Sequence, residues 1–368
     1  MTSPRIQILL FSTVIFLLLA SHSAFADRIV LRSLKMITDR TVESFDEDGV
    51  KLDNGMIVHW DEIEKGTVAE AQQQAFDKLL ADLGTPLYRI RQRLKTGDYE
   101  GLLEHAEAIY PKYLARQSST AYMVFQSLMW GRLAAGQREQ AVEPYLRAYE
   151  YLRAKRTVDP DLPGDRRLRF DPSTALSTTL PPVWFDSAAA KTALPGVVQA
   201  VRSMKKPYPE GVFIYYATLA SAAGDKATAE NAMKPISGNK PLVAQWRDIA
   251  KAQLEVTAGS PGAAVDTLEK SMDQLLSQTR PAAKYWIGMA KLSSDDKQTK
   301  QSGVLELLHL PAVYGTRYPE LAGAALYQSM HALDKLNDIK GSIALRKELM
   351  LRYAHTVHAH KVKSETNK

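Results

Sequence analysis

The sequence predicts a mainly α chain: an α-solenoid of helical hairpins preceded by a small antiparallel β-module. Three observations predict it. From about residue 85 to 355, apolar residues at helical spacing fall into paired segments broken by short turns, most of them marked by Gly or Asn. Ahead of them, residues 27–65 hold four short runs with β-branched residues, punctuated by Asp48-Gly49 and Asn54-Gly55. The 368-residue chain also has no Cys, so it must be held together by packing alone, which suits a repetitive helical core.

The amino terminus reads as a cleaved signal peptide over 1–26. Arg5 supplies the charge, Ile6 to Ala20 the apolar stretch, and Ala24-Phe25-Ala26 the small-residue cleavage site. The apolar stretch is shorter than the ~20 residues that a spanning helix needs. The mature chain is therefore expected to start at Asp27 and to be exported, to the periplasm or cell envelope. Losing Arg5 takes the formal charge from +6 to +5, too modest to argue for nucleic acid as a partner.

In the β-module, the runs Arg28–Leu34, Ile37–Phe45, Gly49–Leu52 and Met56–Trp60 make a meander of SH3-like kind, with Val50 and Leu52 on one face and Lys51 on the other. A module of this size is not stable alone and is expected to dock on the first helices or on another chain. A connecting helix follows within 66–84, with Val68, Ala71, Ala75, Leu79 and Leu83 on one face and Gly84 as its C′ residue. Hairpins are then expected around the turn Thr96-Gly97-Asp98-Tyr99, over Thr120–Leu152, Gly211–Ile236 and Leu242–Leu276, from Trp286 onward, and from Tyr318 onward. Between them, residues 154–184 carry Pro160, Pro163, Pro172, Pro181 and Pro182, which forbid a continuous helix and mark an insertion. Asp186 is expected to cap the next helix, and Pro195-Gly196 to divide it into two pieces. Residues 356–368 read as a polar tail, frayed over Lys361 to Lys368.

The stretch Thr120–Leu152 carries a resemblance. Phe125, Leu128, Met129 and Arg132 share one helical face, Ala135-Gly136-Gln137 interrupts, and Ala141, Tyr145 and Ala148 resume a second face. With the Gly97-Asp98-Tyr99 turn and Trp246-x2-Ile249-Ala250, it resembles the tetratricopeptide repeat, W-x2-L-G-x2-Y followed by A-x3-F. Met129 and Arg132 stand where that pattern has Gly and Tyr. The ending Arg352-Tyr353-x-x-Thr356 resembles that of exported bacterial tetratricopeptide proteins such as the Tol-Pal coordinator family, with Ala354 in place of Pro. The resemblance implies a scaffold and names no activity.

No G-x-S-x-G, H-E-x-x-H, P-loop or G-x-G-x-x-G occurs, and no cofactor or catalytic residue is assigned. Asp46, Glu47, Asp48 and Asp53, with Asp61, Glu62 and Glu64 after them, lack calcium-loop spacing and read as turn chemistry rather than a calcium or catalytic carboxylate cluster. His355, His358 and His360 are the best metal candidates but read as a solvated terminus, since no carboxylate lies close to them in sequence. Tyr122, Arg132 and Tyr215 fall off the core register and are expected to face the groove as binding anchors. Arg166, Arg167 and Arg169, with Lys155 and Arg156, form a basic cluster able to meet an acidic partner. The expectation is an exported, non-enzymatic scaffold that binds a protein or peptide in its groove. The alternative is an envelope enzyme or polymer-binding protein whose basic, proline-rich insertion overhangs that groove.

Overall fold

The computed structural model describes residues 27–155 and 162–366; the leader read over 1–26 and Arg156 of the basic cluster lie outside them. The chain is mainly helical, with a small antiparallel sheet module on its amino-terminal side. It divides into two compact units. One takes the described residues up to Asp98 together with Glu104–Val124, and the other takes Tyr99–Leu103 and the residues from Phe125 onward.

In the first unit six short strands, β1 (Arg28–Leu31), β2 (Met36–Ile37), β3 (Val42–Asp46), β4 (Gly49–Leu52), β5 (Ile57–Val58) and β6 (Ile63–Thr67), form two three-stranded antiparallel sheets. Their orders are β2-β1-β6 and β3-β4-β5, so the expected single meander is replaced by a meander and a second sheet closed by the return of β6 onto β1. The alternation read for β4 holds: Val50 and Leu52 are buried and Lys51 is exposed.

The module docks on its own helices. Trp60, Phe45 and Phe76 form one aromatic cluster, the Trp60 and Phe76 ring centres 5.2 Å apart. A Cβ on Gly66 would lie 2.5 Å from the Phe76 ring, so this strand can lie on α1 (Glu70–Leu79) because it has no side chain there. Arg116 gathers Asp46 (2.9 Å), Asp48 (2.7 Å) and Glu47, and the Tyr113 hydroxyl donates to the Glu47 carbonyl at 2.6 Å. The acidic run is thus matched by a guanidinium.

Gly84 does not end the connecting helix as expected. It is right-handed (φ −58°) within a π-type turn, Leu80–Gly84, that leads into α2 (Thr85–Thr96). Pro86 sits in the first turn of α2, where an N–H has no helical partner to lose. Gly97 (φ +72°) then closes α2, and α3 (Leu103–Tyr113) follows.

In the second unit, α4 (Ser119–Ala134, from Phe125) and α5 (Val142–Lys155) are joined through Gly136 (φ +72°). Then come α6 (Ser187–Ser203), α7 (Glu210–Ala222), α8 (Lys226–Met233), α9 (Pro241–Thr257), α10 (Ala263–Ser271), α11 (Arg280–Leu292), α12 (Lys297–Tyr314), α13 (Pro319–Lys335), α14 (Ile339–Arg352) and α15 (Val357–Thr366). From α7 on, the helices pair as α7–α8, α9–α10, α11–α12 and α13–α14, and each first helix packs on the first helix of the next pair. Close approach depends on small residues: a Cβ on Gly288 of α11 would lie 2.7 Å from Leu307 of α12.

Two expectations are corrected here. Pro195-Gly196 does not divide α6, which runs unbroken from its cap at Asp186, whose carboxylate accepts from the N–H groups of Ala188 and Ala189. Packing against α5 and α7 outweighs the one hydrogen bond that Pro195 removes. Nor are the described residues of the carboxyl end a frayed tail: α15 packs on α13 and α14, with Ala359 and Val362 in a cluster with Leu326, Met330 and Leu349, while 367–368 lie outside the described residues.

Candidate functional site

The insertion is held down by its carbonyls. The Tyr145 hydroxyl donates to Ala175 O, Tyr149 to Pro172 O (2.9 Å) and Tyr215 to Leu180 O (2.7 Å), while Ser177 N–H donates to the Tyr215 oxygen at 3.0 Å. Arg138, in the α4–α5 turn, donates to Pro181 O at 2.6 Å and Val183 O at 3.2 Å. Trp184 adds an indole N–H to the Thr218 hydroxyl at 2.9 Å. A segment too proline-rich for regular structure must find donors for its buried carbonyls elsewhere, and these helices supply them.

This anchoring makes one wall of a cavity of about 400 Å³ in the second unit. Thr179, Pro181 and Val183 come from the insertion and Phe185 from just after it, Leu133 and Arg138 from the end of α4 and its turn, and Trp246 from α9. The first turns of α11 (Pro281, Ala282) and α13 (Pro319, Glu320, Leu321) meet there, with Arg317 before α13 and His355 before α15. Both helices start without a side-chain cap, so their amino-terminal dipole ends add positive potential to the cavity.

The charged residues are of three kinds. Arg138 is buried, held by neutral carbonyls and by the Trp184 ring (5.7 Å), and burial lowers its pKa against the opposing pull of Glu320 and Glu139. Arg166 lies at the surface with its guanidinium over the Trp130 ring at 4.1 Å and the Tyr99 ring at 4.7 Å. Burial pushes the Glu320 carboxyl up, with Arg138 and the Val357 N–H (3.3 Å) opposing. Glu320 is the lone carboxylate among the described lining residues. Glu139, buried nearby in sequence to Arg138, is spent on the N–H groups of Phe185 and Asp186 at 2.8 and 3.0 Å.

The six residues singled out from sequence fare differently. Arg166 lines the cavity. Tyr122 and Tyr215 are fully buried, contrary to the expectation that they face a groove. Tyr215 stacks against Tyr145 and Trp184 and its hydroxyl is committed to the insertion, so falling off one helical register placed it in a second contact layer. Arg132 is half-buried and donates to Gln140 O at 2.8 Å, closing the α4–α5 turn. Arg167 donates to the Gly164 and Leu162 carbonyls of its own loop, and Arg169 is exposed outside the cavity lining.

The expectation of a solvated histidine terminus is corrected for His358, which is buried against Phe185 and Tyr327 with its pKa pushed down to about 3 by burial. His355 and His360 are exposed, and among the described residues no group of three or more His, Asp or Glu is placed to hold a metal.

Sequence reading missed Arg138, Arg317 and Glu320 because the cavity joins positions far apart in the chain. A signal was present: Pro241, Pro281 and Pro319 each open a first helix, so the ends of these parallel neighbours gather on one side. Compared with protein-family models, curated proteins and solved structures, the chain matches none.

Proposed function

We propose that the protein is an exported, non-enzymatic adaptor: an α-solenoid of tetratricopeptide-like hairpins that holds a peptide segment of a partner protein in the cavity beneath the insertion. The observation that carries this reading is the cavity itself, whose walls come from α9, α11, α13, the α4–α5 turn and the insertion together. Its apolar surfaces (Leu133, Val183, Phe185, Trp246, Leu321) suit an aliphatic or aromatic side chain. The packing of α7, α9, α11 and α13 in sequence along the chain supports the solenoid reading.

A photo-crosslinking residue at Thr179, on the cavity wall, tests it against one at Leu351, which is exposed on α14. In envelope extract, the Thr179 position should give a discrete adduct that disappears in Trp246→Ala, and the Leu351 position should not. Equal labelling from both positions would defeat the reading.

The second reading, a polymer-binding protein or envelope enzyme, draws on the insertion forming a wall. Glycoside hydrolysis by a carboxylate pair needs a second acid, and Glu320 has none beside it among the described lining residues. Polymer binding is therefore the form of that alternative the geometry favours.

A further inference from the structure

Three arginines, Arg138, Arg166 and Arg317, line the one cavity, and among the described residues none has a carboxylate within 4.0 Å. Several other guanidiniums are matched by carboxylates, Arg91 with Asp61, Arg116 with Asp46 and Asp48, Arg147 with Glu143, Arg153 with Glu150, while Arg167 and Arg280 donate to backbone carbonyls. Arg138 is the most telling. A buried guanidinium is costly unless its charge is used, and its protein partners here are two neutral carbonyls and a ring. Glu320 lines the same cavity but forms no ion pair with it; the pull of Glu320 and Glu139 raises the Arg138 pKa, and burial, which raises the Glu320 pKa, weakens that compensation. The uncapped starts of α11 and α13 reinforce the same sign.

The apolar walls say what accompanies the charge. Trp246, Val183, Phe185 and Leu321 require a hydrophobic body between the anionic groups. We infer that the occupant is an acidic peptide segment: an aliphatic or aromatic side chain enters beside Trp246, flanked by Asp or Glu residues that pair with Arg138 inside and with Arg166 and Arg317 at the surface. This rests on the peptide-binding reading above and adds the chemistry of the peptide.

The test is selection from an unbiased peptide display library on the purified protein, at low ionic strength. The enriched pool should be net acidic with an apolar residue among the acids. Its members should bind the R166Q/R317Q variant about tenfold more weakly, and raised salt should narrow that difference. Both arginines are exposed, so an unchanged melting curve confirms that the variant is folded. A neutral or basic pool, or one bound equally by R166Q/R317Q, overturns the acidic assignment; if that pool is still lost with Trp246→Ala, the peptide reading stands without it. A selection that enriches nothing overturns both.

Discussion

His358 gives the most quantitative prediction, because it is buried in the first turn of α15, three residues after His355 at the cavity. The ring contacts Phe185 and Tyr327 at 5.1 Å each, and its Nδ1 has no hydrogen-bond partner. Burial, aided by Lys361 and opposed by Asp186, holds its pKa at about 3 against an ordinary 6.5. A base whose folded pKa is depressed contributes stability that is present above its unfolded pKa and lost as pH falls toward the folded one. At pH 5 the unfolded chain is protonated here and the folded chain is not. The gap of 1.5 units below 6.5 amounts to about 2 kcal/mol of lost stability from this residue alone. His358→Phe keeps an aromatic ring between Phe185 and Tyr327 and removes the titrating nitrogen. Urea unfolding of both proteins at pH 7.5 and pH 5 isolates the effect, since every other titrating group is common to them. Wild type should lose about 2 kcal/mol more than H358F over that interval. Equal losses would refute the claim that His358 is neutral and buried in the native state.

Two further substitutions address how the insertion is held. Tyr215→Phe keeps the ring packing and deletes a hydroxyl bonded to Leu180 O and Ser177 N, so about 1–3 kcal/mol should disappear in urea unfolding at neutral pH; a change under a few tenths would mean that water replaces it freely. Gly211→Ala would place a Cβ 2.1 Å from the Thr174 carbonyl oxygen, where backbone rather than a flexible side chain must move. A loss of about 2 kcal/mol or more in the same assay is expected, and tolerance of the alanine would show that the insertion does not rest on α7 as described.

Much of the fold was legible because its determinants are local. Gly97, Gly136, Gly224 and Gly259, all at positive φ, and Asn337 (φ +63°) mark the turns that the hairpin spacing located. Asp186 caps α6 as expected of that residue type at a helix start. The continuity of α6 through Pro195 and the seating of α15 were not legible, because both depend on which neighbours cover those helices. Val362 is buried only because α15 packs on α13 and α14.

The division is sharper at the site. The residue pattern alone determined that helices pair, where most of the pairs turn, and that a proline-rich stretch interrupts them, since periodicity and turn chemistry are properties of a few consecutive residues. That Tyr215 serves the core and Arg138 the cavity depends instead on contacts formed in three dimensions. Those roles follow from which carbonyls and rings lie within about 3 to 6 Å, and residues more than thirty positions distant provide them: Leu180 for Tyr215, Pro181 and Trp184 for Arg138.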